Sequence, residues 1–144
     1  MTGKENTGAT EPISLKIPSR PEYVLLARLV VTQVGQLAGL EQDEIYDLKL
    51  AVTEAATNVI RHAVVESFEI DYAARGGAVE IKVKDAGGGF DVEGLTKMPD
   101  SQGGFGLSVI GSLVDELMLD SAEDGGTQLK MVYRSSSSKK TSNI

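Results

Sequence analysis

The stretch "VKDAGGGFD", residues 83–91, closes an alternating run, "AVEIKVKD", with three consecutive glycines held between two aspartates. Val79, Ile81 and Val83 alternate with Glu80, Lys82 and Lys84, the mark of a half-buried strand. A strand that ends on an acid and then gives up its side chains makes either a tight turn or a bare backbone surface for a ligand. The elements on either side decide between the two.

Immediately upstream, Phe68, Ile70 and Tyr72 alternate in the same way, and Arg75-Gly76-Gly77 separates the two runs, which predicts a β-hairpin. Before it, Ile45, Leu48, Val52, Ala55, Val59 and Ala63 recur at threes and fours. They define the core face of a helix from about Glu41 to Val65, with Leu40 preceding its acidic first turn. An earlier helix occupies "SRPEYVLLARLVVTQVGQLAG", with Ser19 as N-cap, Pro21 in the first turn and Gly39 just past the end. Its stripe runs through Val24, Leu25, Ala27, the stem of Arg28, Val31, Val34 and Leu37. The first strand is "EPISLKIPS", with Ile13, Leu15 and Ile17 on one face and Pro18 ending it.

Downstream, residues 86–103 form a glycine-rich loop too long for a simple connector. A third helix opens at Gly104 in "GFGLSVIGSLVDEL", and a last hairpin spans 116–134, turning at Asp124-Gly125-Gly126. Residues 1–10 and 135–144 are small and polar and are expected to be disordered, leaving one domain over 11–134. The order β-α-α-β-β-loop-α-β-β predicts an α/β (α+β) two-layer sandwich: a mixed, mainly antiparallel sheet with helices on one face.

Composition narrows the chemistry. In 144 residues, 41% are apolar and 24% charged, ordinary for a soluble domain. The formal charge of −7 disfavours nucleic acid as a partner. No run of about 20 apolar residues and no signal-peptide pattern occurs, so a cytoplasmic protein that does not engage the membrane is expected. Cysteine is absent and His62 is the single histidine, which excludes disulfides, thiolate metal sites and multi-histidine zinc sites. Catalysis then rests on carboxylates, amides, hydroxyls or a bound nucleotide.

Glu54, Asn58 and His62 are spaced at four residues and stack on one side of the second helix. A solvated face is the ordinary reading of such a column, and His62 is the ordinary structural histidine. The neighbours in "AVTEAATN" are alanines and threonines rather than lysines and glutamates, however, and let a ligand approach closely. A carboxylate and an amide at this spacing offer a general base and an oxygen ligand for a hard cation. Gly104-Phe105-Gly106 opens a helix, whose free N–H groups favour phosphate. No Walker A pattern, no third Rossmann glycine and no eukaryotic-type protein kinase signature accompanies it.

The ordered set carries more than its parts: Glu54-x-x-x-Asn58 on a helix, Asp85-x-Gly87-x-Gly89 at a strand end, Gly104-x-Gly106-Leu107 opening a helix and Gly126-Thr127 opening a strand. It resembles the GHKL (Bergerat-type) ATP-binding fold shared by gyrase, histidine kinases and MutL. The length and compact form make the chain similar to the bacterial anti-sigma-factor serine/threonine kinases of the RsbW and SpoIIAB type, over roughly residues 11–134. "LKLAVTEAATNVIRHA" resembles their N box, "VKDAGGGFD" the first glycine box and "GGFGLSVIGSLVDEL" the second. The resemblance implies that the chain binds ATP or ADP with Mg²⁺, holds a sigma factor inactive, and phosphorylates a STAS-type anti-anti-sigma protein on serine or threonine. It implies that Asn58 is the Mg²⁺ ligand and Glu54 the base that takes the proton from the attacking hydroxyl. Asp85 accepts from the adenine amine, supported by Thr127, and Gly87 and Gly89 let backbone lie against the base. Gly104, Phe105, Gly106 and Leu107 belong to the phosphate end, residues 90–103 form a lid, and the protein is a homodimer.

In one respect the chain departs from the pattern. Relatives often carry arginine near the second glycine box, where "DSQGGFGL" has Gln102 and Phe105; Arg61 and Lys97 are the substitutes within reach. A non-catalytic nucleotide-binding module that acts through partner binding is therefore the alternative function. A histidine-kinase fragment would need an upstream phosphoacceptor hairpin, and a gyrase-type ATPase further coupling domains.

Overall fold

The computed structural model describes residues 11–86, 102–121 and 126–136, with backbone alone for 102–106. Strand β1 (Ile13–Pro18) is followed by a 3₁₀ turn (Pro21–Tyr23) and helices α1 (Val24–Leu37) and α2 (Gln42–His62). The hairpin β2 (Ser67–Arg75) and β3 (Ala78–Asp85) comes next, then α3 (Gln102–Leu113), β4 (Glu116–Ser121) and β5 (Thr127–Arg134). The five strands form one open sheet in the order β1-β2-β3-β5-β4. Every pairing is antiparallel, so the parallel component of the expected mixed sheet is not found among the described residues.

The two periodicities lay down the two layers. Along β2, β3 and β5 alternate residues are buried: Phe68, Ile70 and Tyr72, then Val79, Ile81 and Val83, then Leu129, Met131 and Tyr133. The helices cover that face with Ala27, Val31 and Val34 of α1, Leu48, Val52, Ala55 and Val59 of α2, and Ile110 of α3. α2 packs against both α1 and α3, so its buried sector is wide and includes Ala51 and Ala56. The opposite sheet face is polar, and Lys84 there sits 2.8 Å from Asp71 and 3.7 Å from Glu69.

Helix boundaries follow local chemistry. The α1 C-terminus is a Schellman motif: Leu40 N–H donates to Gly35 at 3.0 Å, Gly39 N–H to Gln36 at 3.1 Å, and Gly39 takes φ +83°. α2 begins with a capping box in which Glu41 and Glu44 satisfy each other's backbone N–H. Buried Leu40 and Ile45 flank the box, one residue before Glu41 and one after Glu44. A Cβ on Gly35 would lie 2.8 Å from Ile45 Cγ1, so the α1–α2 approach requires glycine. The β2–β3 turn is the two residues Gly76-Gly77, both with positive φ, as a type I′ turn demands; Arg75 pairs with Ala78 inside the ladder.

Several boundaries differ from the sequence reading. Ser19 caps nothing: its N–H donates to Glu66 O, and Pro21 opens a 3₁₀ turn that delays α1 to Val24. Leu25 and Leu37 of the expected stripe are exposed: Leu25 lies about 160° around α1 from buried Ala27, and Leu37 is the last residue of the helix, beyond buried Val34. α2 stops at His62 because Ala63 turns extended, three residues before the expected end. α3 starts at Gln102 and ends at Leu113, and the remainder of its expected span enters β4. Ser135 is buried with its N–H on Gly77 O at 2.9 Å, and Ser136 N–H donates to Glu44 Oε2 at 2.7 Å, so ordered contacts continue past Arg134.

Candidate functional site

Asp85 is the last residue of the central strand β3, and register sets it opposite Thr127, the first residue of β5. The two lie on the helix-facing side because each continues its strand's buried alternation: Val79, Ile81, Val83, Asp85 on one strand and Thr127, Leu129, Met131, Tyr133 on the other. Both are buried, and Thr127 Oγ1 donates to Asp85 Oδ2 at 2.8 Å. A hydroxyl bond to an ionised carboxylate is the stronger, charge-assisted kind. It orients the acid, which still has acceptor capacity because a carboxylate offers about four lone-pair positions.

These two residues line a cleft of ≈ 390 Å³ together with Phe68, Ala86, Gly126 and Gln128. The cleft opens around the strand ends onto the polar face, where Lys16, Glu69 and Lys84 complete it. The pattern reading missed these three: on an alternating strand they are indistinguishable from ordinary solvated residues, and only the sheet order brings them together.

The helical contribution comes from the C-terminal half of α2. α2 ends at His62 and β2 starts at Ser67, so the last turns of α2 lie at the end of the sheet that holds Asp85 and Thr127. The column of polar residues on α2 is not a solvated face. Asn58 is 1% exposed, Glu54 is half-buried, and only His62 is out in solvent. The amide nitrogen Nδ2 of Asn58 is sealed from solvent and has no hydrogen-bond partner among the described residues. Such a group costs about 1–3 kcal/mol, and in a native fold it calls for a function. The amide's terminal torsion is two-fold, so its nitrogen and oxygen can exchange places; neither Asn58 nor Glu54 lines the cleft.

That donor set fits a hard cation held mainly by water and phosphate. No group of three or more His, Asp or Glu side chains that could cage a metal exists among the described residues. A single amide oxygen beside a nucleotide is the sparse protein contribution that Mg²⁺ accepts. Of the other expected site residues, Gly87, Gly89 and Lys97 lie outside the described residues. Gly104, Phe105 and Gly106 belong to the first turns of α3, which opens two residues ahead of Gly104. Leu107 is half-buried against the core, a packing role as well as its place in the motif.

An open antiparallel sheet under a helical layer, with a carboxylate–hydroxyl pair at the end of its central strand and a buried amide on the central helix, defines a histidine kinase-like ATPase domain. The chain belongs to that family, whose description, histidine kinase-like ATPase domain, matches residues 17–133. Within it the chain is similar to the RsbW kinases. Serine-protein kinase RsbW of Bacillus subtilis (strain 168) is 36% identical over 122 residues, covering 73% of this chain and 75% of the relative. Serine-protein kinase RsbW of Oceanobacillus iheyensis is 33% identical over 123 residues, covering 75% and 78%. The crystal structure of the RsbU and RsbW domains of a Mycobacterium tuberculosis protein matches with a TM-score of 0.66 at 20% identity. The match covers 87% of this chain and 32% of that one, a likeness of fold alone. No helix among the described residues is long and apolar enough to cross a membrane.

Proposed function

We propose that this chain is an ATP-dependent protein serine/threonine kinase of the cytoplasm. In this reading it also holds a sigma factor inactive and phosphorylates a STAS-type anti-anti-sigma protein. The observation that carries the reading is the buried Asp85–Thr127 pair, set at the same end of the sheet as the sealed, unpartnered amide of Asn58.

The residues divide the work. Asp85, oriented by Thr127, accepts the exocyclic amine of adenine; guanine presents a carbonyl there and is rejected by an acceptor-only group. Asn58 turns its amide oxygen toward the metal–phosphate end. Mg²⁺, when bound, supplies neutralisation of phosphate charge. Glu54, one turn before Asn58 and half-buried, takes the proton of the incoming serine or threonine hydroxyl. The glycines at 87 and 89 and the start of α3 complete the nucleotide's surroundings. Phosphoryl transfer asks mainly for positioning and charge stabilisation, which this division provides.

A homodimer is part of the proposal. α1 leaves Leu25, Leu26 and Leu29 exposed on adjoining positions, an apolar face that a second copy would cover. Uncharged Gln102 and Phe105 favour a second reading, in which the nucleotide only shapes a partner surface.

Incubation with labelled ATP, Mg²⁺ and candidate STAS proteins separates the two. The kinase reading expects phosphoserine or phosphothreonine on the antagonist. It also expects that Glu54→Gln keeps ATP and ADP binding but loses the transfer. Sigma binding with no phosphotransfer from the unaltered chain would establish the second reading instead.

A further inference from the structure

An exocyclic amine carries two hydrogens, and a carboxylate that accepts one of them leaves the other pointing elsewhere. Where it points decides what the site tolerates on that nitrogen. We propose that Phe68 closes this direction and restricts the nucleotide site to adenine with an unsubstituted amine; the inference rests on the ATP-kinase reading above.

Register places Phe68. β2 and β3 pair Glu69 with Lys84, so the next step outward sets Phe68 opposite Asp85. β1 and β2 pair Ile17 with Phe68, and β3 and β5 pair Asp85 with Thr127. Ile17, Phe68, Asp85 and Thr127 thus form one row across the end of the sheet, and all four are buried. Each continues its strand's buried alternation, so the row lies on the helix-facing side. Neighbouring Cβ atoms in such a row stand about 4.5–5.5 Å apart, within easy reach of an aromatic ring.

The two sides of Asp85 differ. On the β5 side Thr127 Oγ1 donates to Asp85 Oδ2 at 2.8 Å, a small polar group already committed to the acid. On the β2 side stands Phe68, with buried Ile17 behind it on β1. A ring held between an isoleucine and a carboxylate cannot swing aside. Of the described residues that line the ≈ 390 Å³ cleft, Phe68 is the single large apolar one. An amine that donates to Asp85 therefore has its neighbour's ring on the side that Thr127 leaves open. A hydrogen fits there, whereas an alkyl or benzyl group meets ring carbons. A clash of this kind rejects a competitor without any new contact to the preferred ligand. Phe68 also belongs to the hydrophobic core. A packing role alone would weaken every nucleotide alike when the ring is cut back; only a wall beside the amine changes the ratio between nucleotides.

The test compares the full chain with Phe68→Leu, Phe68→Val and Ile70→Val, measuring the affinities of Mg²⁺–ATP and Mg²⁺–N6-benzyl-ATP by calorimetry. The unaltered chain should bind the benzyl compound at least about tenfold more weakly than ATP, and either Phe68 variant should bring the two within about threefold. Phe68→Leu keeps most of the buried volume, so the comparison stands even where Phe68→Val does not fold. Ile70→Val trims a buried side chain of the same strand, one row further in, and should leave the ratio of the unaltered chain. Equal affinity of the unaltered chain for both compounds overturns the proposal. An unchanged ratio in a folded Phe68 variant overturns it, as does the same recovery in Ile70→Val. An unaltered chain that binds no ATP overturns the kinase reading and this proposal with it; an unaltered chain that binds ATP confines any failure to Phe68.

Discussion

Replacing Asn58 by alanine should make the ligand-free protein more stable and the liganded protein no better. Nδ2 is buried and has no partner among the described residues, and removing a group in that state returns about 1–3 kcal/mol. Alanine is also the better helix former in the interior of α2, by roughly 0.6 kcal/mol. Against this stands a cavity of roughly 30 Å³, which at ~24 cal/mol per Å³ costs about 0.7 kcal/mol. The sum is a gain of about 1–3 kcal/mol, or roughly 3 °C or more in Tm for a domain of this size. Nucleotide reverses the order. At a hundred times its Kd, a ligand raises stability by about 2.7 kcal/mol, and under the proposed role of the amide oxygen as the metal's protein ligand Asn58→Ala should forfeit that increment. The assay is thermal and urea unfolding of both proteins, alone and with Mg²⁺–ATP. An Asn58→Ala protein that is less stable than the original without ligand by about 1 kcal/mol, or that keeps the full ligand-induced rise, would refute the reasoning.

The base pocket makes a separate prediction: Asp85→Asn gives the site a donor as well as an acceptor, and should erode the preference for ATP over GTP about tenfold or more. Thr127→Val removes the bond that orients Asp85 and should weaken ATP by a smaller factor, read by the same competition binding. On the polar face, burial pushes the Asp71 carboxyl up, but hydrogen bonds from Lys84 and Ser14 and the charges of Lys84 and Lys82 outweigh it and hold the group below its ordinary value of 3.8. A depressed carboxylate stabilises above its unfolded pKa and loses that contribution as pH falls through the folded one. Asp71→Asn should therefore lose about 0.5–1 kcal/mol at neutral pH, a deficit that closes below about pH 4 in urea titrations. Leu25→Lys with Leu29→Lys should convert the proposed homodimer to monomer in light scattering without altering the melting of the fold, since both side chains are exposed.

Much of this was legible from pattern. The core face of α2 held residue by residue, since Ile45, Leu48, Val52, Ala55, Val59 and Ala63 are all buried. The antiparallel pairings of β2 with β3 and of β4 with β5 also agreed with the alternation, whereas the β3–β5 pairing that sets Asp85 beside Thr127 was not read from pattern. What pattern could not supply was three-dimensional neighbourhood. The burial of Asn58 follows from α2 being flanked by helices on both sides, which widens its buried sector beyond the apolar stripe. Ser19 has the composition of a cap, yet its N–H is drawn to Glu66 by the return of the chain between α2 and β2. Leu25 is apolar but lies about 160° around α1 from buried Ala27, so its exposure follows from the helical period itself. The cleft's Lys16, Glu69 and Lys84 come from three strands whose adjacency depends on sheet order, a property of no single segment.

The register between β3 and β5 ties recognition to folding in a way that limits how such a protein can evolve. Asp85 and Thr127 face the proposed nucleotide site only because they continue the same alternation that buries Val83 and Leu129. An insertion of one residue in either strand would turn the recognition pair outward and the hydrophobic partners with it. A length change in the two middle strands would be lost as a misfolded protein before its altered nucleotide preference could ever be tried.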